Sequence, residues 1–139
     1  MAFAPLPPST VELEGPYAHD FVHTRGIRLH VATAGESTQP LVVLIHSAFG
    51  GWFDYQDVIA PLAQRGFHVA AVDMRGFGMS DKPPIDAGQD IRTLVGDISG
   101  PIQAMGHDDA FVVGADTGGA VAWCLAAIRV STGSCSTLP

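Results

Sequence analysis

The segment Gly114-Ala115-Asp116-Thr117-Gly118-Gly119 sets a carboxylate between an apolar run at 110–113 and a helix-like run at 120–128. A strand, a sharp turn and a helix fit within this stretch, and a side chain at the apex of such a turn is driven out above the sheet. Glycines two before and two after the apex let the backbone bend and let the helix come close. The usual occupant of the apex in this kind of elbow, written G-x-S-x-G, is serine; here it is Asp116.

A carboxylate that attacks carbon forms an ester in which the protein supplies the acyl part, and water then hydrolyses that ester at its carbonyl. This chemistry suits opening an epoxide or displacing a halide from carbon. It suits an ordinary ester or amide poorly. The structural alternative is a helix cap, since aspartate ahead of a helix accepts backbone N–H bonds and complements the helix dipole. The motif by itself leaves both open.

The elements that must position Asp116 are legible in the hydrophobic pattern. Residues 21–24 and 27–34 flank Arg25-Gly26, and Ile27, Leu29 and Val31 alternate with Arg28 and His30. That predicts a β-hairpin at one edge of a sheet, with His23 and His30 on its outward face. Residues 41–45 form a continuous apolar run, as expected of a parallel strand buried on both faces. Tyr55, Val58, Ile59 and Leu62 then recur at helical spacing, with Asp54 as the expected cap, Gly66 as the stop, and Pro61 predicting a kink or a later start. A short strand at 68–72 leads into the loop Asp73-Met74-Arg75-Gly76-Phe77-Gly78-Met79-Ser80. From Asp90, the spacing Ile91, Leu94, Val95, Ile98, Ile102, Met105 predicts an amphipathic helix closed by Gly106 and weakened by Gly96, Gly100 and Pro101. Strands alternating with helices predict an α/β protein: a parallel sheet with helices on both faces and an N-terminal β-hairpin. His46, Asp73 and Asp116 all fall at carboxyl ends of strands, where such sheets carry their reactive groups.

The chain has 139 residues, 47% hydrophobic and 15% charged, enough for one α/β domain with a core. A net charge of −7 with seven Lys plus Arg argues against nucleic acid or an anionic membrane as partner. Cys124 and Cys135 fit neither a disulfide framework nor a zinc spacing, and no residue pattern calls for a metal or an organic cofactor. Residues 1–16 carry no basic residue and no apolar run of signal-sequence length, and Pro5, Pro7 and Pro8 suggest an extended arm over residues 1–19. The expected compartment is reducing and cytoplasmic.

Three of these motifs, in order along the chain, resemble the α/β-hydrolase family, in its epoxide hydrolase and haloalkane dehalogenase branch. His46-Ser47-Ala48-Phe49-Gly50-Gly51-Trp52 is similar to the family's histidine-glycine loop, 73–80 to its D-x-R-G-x-G-x-S loop, and 114–119 to its nucleophile elbow. The resemblance implies Asp116 as nucleophile, with the backbone N–H groups of Thr117 and Ala48 facing the oxyanion formed during ester hydrolysis. It implies that His46 organises its loop, that Gly114, Gly118 and Gly119 shape the elbow, and that 73–80 braces the sheet. It implies a small-molecule substrate, an epoxide or another electrophile. Ser47 stands where the family has glycine, and Thr117 and Ala48 stand where dehalogenases hold the halide with tryptophan and asparagine, so the epoxide hydrolases are the better match within the branch.

The family's catalytic domain runs to about twice this length, and its second acid, catalytic histidine and substrate-covering cap follow the elbow. The expected organisation is therefore the N-terminal half of an α/β-hydrolase domain at 20–130, with a flexible, non-family tail at 131–139, where six of nine residues are Ser, Thr or Gly. The strand at 110–113 would then be an exposed edge able to self-associate. A non-catalytic interaction fragment remains the alternative to a hydrolase that forms its ester and does not turn over. Of the six histidines, His19, His23, His30, His68 and His107 read as surface residues. A phosphatase reading lacks D-x-D at an early strand, and a nucleotide site lacks both a Walker loop and a third spaced glycine.

Overall fold

The computed structural model of the chain describes residues 3–84 and 90–131, with side chains through Ala127. The tail assigned to 131–139 lies, from 132 onward, outside the described residues. In order along the chain come β1 (Ala18–Thr24), β2 (Ile27–Ala34), β3 (Leu41–Ile45), α1 (Gln56–Gln64), β4 (His68–Val72), α2 (Ile91–Ala104), β5 (Phe111–Gly114) and α3 (Thr117–Ser131). Two 3-10 turns, Pro8–Val11 and Trp52–Tyr55, complete the set. The first lies within the arm that the prolines mark as extended.

The five strands form one sheet in the order β1-β2-β4-β3-β5. Hairpin β1–β2 and the β2–β4 pair are antiparallel, whereas β3 pairs in parallel with β4 on one side and β5 on the other. The sheet is thus mixed, its parallel part being β4-β3-β5. The chain leaves β3 for β4 and then crosses back to β5, so β3 marks the point where the strand order reverses. Such a switch point is where open α/β sheets place a crevice beyond the strand ends, and the loops after β3 and β5 border it.

Side-chain alternation splits the core into two layers. Leu41, Val43 and Ile45 of β3 join Val31, Ala70, Val72, Ile98 and Ile102 and the α3 residues Val121 and Leu125 on one face. Val42 and Leu44 join Ala32, Val69, Ala71, Trp52 and Ile59 on the other. Continuous apolar runs in β3 and β4 are the direct consequence, because both faces of those strands are covered and all their residues are buried.

The hairpin turns at Arg25 (φ 48°) and Gly26 (φ 80°), the two left-handed residues that a tight two-residue connection requires. The glycines that weaken α2 as a helix have a packing role here. A Cβ on Gly100 would stand 2.0 Å from Thr24 Oγ1, and one on Gly96 would meet the end of the Arg25 side chain. Removing both side chains lets α2 seat against the end of β1. Asp90 caps this helix by accepting from Thr93 N at 2.8 Å.

Three expectations are corrected. Asp54 does not cap α1: the Trp52–Tyr55 turn intervenes, Tyr55 takes the cap position without a side-chain bond, and the Asp54 carboxylate folds back against Gly50. His30 is not an outward surface residue, because Trp52 and the arm cover its face of the hairpin and bury it completely. His68 is buried as well, with its Nδ1 2.9 Å from His107 Nε2.

The close approach of α2 predicts opposite outcomes at its two glycines in urea denaturation. Gly96→Ala is expected to stabilise by up to about 1 kcal/mol, since helix propensity rises and the end of an exposed arginine can swing aside. Gly100→Ala is expected to cost about 1–3 kcal/mol through overpacking against Thr24. A second prediction concerns acid. Burial, and then the neighbouring His107, push the His68 imidazole below its usual value. The unfolded chain therefore binds this proton more readily than the folded one. Stability from neutral His68 is complete above the unfolded value of about 6.5 and declines as pH falls from there toward the folded value. The melting temperature should drop on acidification through that window, with a shallower slope in His68→Gln.

Candidate active site

The crevice between β3 and β5 is built from backbone first. Ile45 and Gly114 are opposite one another at the last register position of the two strands. Ala115 N then donates to Ile45 O at 3.2 Å, carrying the ladder one step past the strand. The following turn closes through Gly118 N to Ala115 O at 2.9 Å, and α3 begins with Ala120 N on Asp116 O at 3.1 Å. At the apex Asp116 adopts φ 54°, a left-handed conformation unfavourable for a residue with a Cβ.

Glycines on either side explain why the chain tolerates this. A Cβ on Gly118 would lie 2.4 Å from Ile45 O and 2.6 Å from His46 O, and one on Gly114 would lie 2.2 Å from Gly118 O. Gly119 is less critical, its nearest approach being 3.3 Å to Gly114 O. Strand, helix and the end of β3 therefore meet backbone to backbone, and the apex side chain is left exposed above them.

The loop after β3 meets that side chain. Ala48 N donates to Asp116 Oδ2 across 3.4 Å, at the long end of the hydrogen-bond range. Asp116, Ala48 and His46 are thus brought to one place, and Thr117 follows at the first residue of α3. Ser47 is absent from the left-handed residues, so this loop does not need the conformational freedom of the glycine it replaces. Phe49, next to Ala48, is fully exposed.

His46 holds the loop and has no lone pair to spare. Its Nδ1 lies 2.7 Å from Ser47 O, which can only accept, and its Nε2 accepts from Met74 N at 3.0 Å. The ring is therefore the neutral Nδ1–H form with both nitrogens engaged, and it is buried. Asp73, though also at a strand end, is withdrawn from the crevice. Its carboxylate is wholly buried and accepts from His30 Nδ1 at 2.8 Å, Trp52 N at 2.8 Å and Met79 N at 3.1 Å. Ser80 Oγ donates to Asp73 O and accepts from His30 N, stitching the 73–80 loop to β2. Arg75 pairs with Asp97 of α2 through Nη2 at 2.8 Å, and that hydrogen bond raises the guanidinium's already high value.

Tyr55 adds a support that sequence reasoning read only as part of a helix face. Its hydroxyl donates to Ile45 O at 2.9 Å. Burial, and then Asp54, raise the phenol above its usual value, which keeps it a donor. His19 and His30 are the other residues missed, and they buttress Asp73 from the far side. Among the described residues no cluster of three or more His, Cys, Asp or Glu could hold a metal ion, and no helix is long and apolar enough to cross a membrane.

Comparison with known proteins bears on this arrangement. The sequence pattern of the family described as alpha/beta hydrolase fold matches residues 40–134. The chain is 46% identical over 109 residues to the AB hydrolase superfamily protein YfhM of Bacillus subtilis, covering 78% of this chain and 38% of that protein. It is 39% identical over 110 residues to epoxide hydrolase B of Mycobacterium tuberculosis, covering 78% and 31% respectively. Among solved structures, the epoxide hydrolase of an endophytic Streptomyces superposes with a TM-score of 0.79 at 34% identity, over 84% of this chain and 35% of that one. An epoxide hydrolase of Vigna radiata gives 0.78 at 34% identity, over 83% and 35%. The chain thus spans about a third of the length of the curated relatives it matches. With the family's pattern matched over residues 40–134, the chain belongs to the α/β-hydrolase family, and its similarity falls on proteins named epoxide hydrolases.

Proposed function

We propose that this chain carries the nucleophile and oxyanion portion of an epoxide-hydrolase-type enzyme, with Asp116 as the attacking group. The observation that carries the reading is the contact between Ala48 N–H and the exposed carboxylate of a left-handed Asp116. The similarity to proteins named epoxide hydrolases supports it. A carboxylate oxygen of Asp116 attacks an epoxide carbon, a ring C–O bond breaks, and the released alkoxide takes a proton from water. The product is a hydroxy ester on Asp116. Water then adds to the ester carbonyl, the resulting oxyanion is held by the N–H groups of Ala48 and Thr117, and collapse returns the carboxylate and a diol.

The second step needs a base to activate water. His46 has both nitrogens committed, and His30 and His68 are tied into the interior. By the resemblance, the base and second acid of this family come after the elbow. Ester formation is therefore the step these residues are proposed to carry, and its hydrolysis is proposed to depend on a base that none of these three histidines supplies. A haloalkane dehalogenase reading is weaker, because Ala48 and Thr117 offer no halide-holding side chain.

A second reading has its own observation. Phe111 and Val113 on β5 are 44% and 48% exposed, and Trp123 on α3 is 80% exposed. A non-catalytic fragment that self-associates through this edge would use those residues. The two readings separate in one experiment, intact mass measurement of the purified chain after incubation with an aromatic epoxide. A single persistent adduct on the wild type, mapped to Asp116 and missing in Asp116→Asn, is the expected result. No adduct, together with concentration-dependent dimerisation, would replace the enzyme reading with the interaction one. Gly118→Ala should also abolish the adduct, since its Cβ would strike the Ile45 and His46 carbonyls and displace the elbow. An unchanged adduct yield in that variant would refute the backbone account of the site.

A further inference from the structure

Three short contacts run in series from the arm into the interior. Leu13 O lies 2.7 Å from His19 Nε2, His19 Nδ1 lies 2.8 Å from His30 Nε2, and His30 Nδ1 lies 2.8 Å from Asp73 Oδ2. Each contact needs one hydrogen, because facing lone pairs at such distances repel. Leu13 O only accepts, so His19 Nε2 carries a hydrogen. Asp73 accepts Trp52 N–H on Oδ1 and Met79 N–H on Oδ2, and a carboxylate holds a proton far less tightly than an imidazole does, so the hydrogen facing it is assigned to His30 Nδ1. Two neutral imidazoles own two ring hydrogens, and both are now spent. The middle contact, from ring to ring, still lacks one.

We infer that His19 and His30 share one additional proton, so that the pair is a single cation opposite the Asp73 carboxylate, and that this proton fastens the arm over Trp52. The charge has its partner at hand: His30 and Asp73 are both fully buried and in contact. Around the pair stand Tyr17, edge-on to His19 with its hydroxyl on Glu14 O, and Phe21, tilted against His30 and with the Arg28 guanidinium over its ring. Arg28 in turn pairs with Asp81, so the Asp73 carboxylate is the counter-charge that touches the rings.

Loss of the proton to solvent has a directed consequence. His30 keeps its hydrogen on Nδ1, since the buried carboxylate would otherwise lose a donor. His19 must then place its one hydrogen on Nδ1 to satisfy His30 Nε2. Its Nε2 is left facing Leu13 O, lone pair to lone pair, and the arm separates. The arm's remaining ties are Trp52 Nε1 to Val11 O at 2.9 Å and the Tyr17 ring against Trp52. Trp52 follows directly on the loop that bears Ala48, so the latch acts on a residue joined to the crevice without lying in it. This inference is independent of the reaction proposed above.

The test is nitrogen-15 NMR of the histidine rings in the wild-type chain between about pH 5 and pH 9, the range spanning imidazole titration, with amide exchange of the arm measured in parallel. The expected result is three ring hydrogens on His19 and His30 together at the acid end and two at the alkaline end. Loss of the third should coincide with arm amides exchanging about tenfold faster or more, the effect of losing a charge-assisted hydrogen bond. Trp52 emission, read in a Trp123→Phe background, should change at the same step. His19→Phe should leave the arm unprotected at every pH while His30 keeps its Nδ1 hydrogen; should that variant fail to fold, the wild-type titration decides alone. Two ring hydrogens throughout, or an arm whose exchange ignores the step, would overturn the inference.

Discussion

The carbonyl of Ile45 is the point on which the site depends. It ends β3, accepts Ala115 N and the Tyr55 hydroxyl, and stands where any side chain on Gly118 would have to go. Three segments are therefore fixed to one another through a single oxygen: the elbow, the turn ahead of α1, and the central strand. The left-handed backbone at Asp116 follows, because a chain that must bond Ile45 O and then start a helix within Gly118's contact distance has no room for a gentler bend. Strain of order 1–2 kcal/mol at that residue is offset by the contacts around it. Its result is a carboxylate that projects into the crevice with a backbone donor already facing it.

Asp73 supports the same loop from the opposite end. It holds Trp52 N, and the next residue, Met74, donates to His46. The segment from His46 to Trp52 is thus pinned at both ends, leaving Ser47 to Gly51 as a short span closed by Gly50 N on Ser47 O. Ala48 sits in the middle of that span. Two aspartates at strand ends have opposite fates for this reason: one is consumed as an acceptor of three internal donors, and the other is left outside.

Much of this was legible before the fold. The strands β3 and β4 stood out because burial on both faces leaves β3 wholly apolar and β4 apolar after His68, and the elbow stood out because its glycines are demanded by backbone contact. What escaped was whatever depended on a distant segment. Alternation along β2 rightly put His30 on the face opposite Leu29 and Val31, but nothing local says that Trp52 and residues 8–17 cover that face. Asp54 has the chemistry of a cap and sits one residue too early, displaced by a 3-10 turn that propensity does not distinguish from a helix start. Gly96 and Gly100 look like faults in α2 until the hairpin end is packed against them. The run of Gly76, Gly78 and Ser80 after Asp73 was the available signal that this loop folds back on its own carboxylate, since a Cβ on Gly78 would strike Asp73.

The sheet is stiff where the supports are and thin where the nucleophile is proposed. β3 is paired on both sides, whereas among the described residues β5 pairs with β3 alone, through four register positions from Val42 opposite Phe111 to Ile45 opposite Gly114. Its outward residues are half-exposed, and α3 is tied to the core chiefly by Val121 and Leu125. The elbow therefore hangs from a single ladder and a single helix face, and those two elements carry exposed apolar groups of their own, Phe111, Val113 and Trp123. Anything that covers that edge, whether more of a longer chain or a second copy, acts on the geometry of Asp116 as well as on the apolar surface. The two proposed functions therefore share one strand, since whatever covers β5 also bears on the position of Asp116.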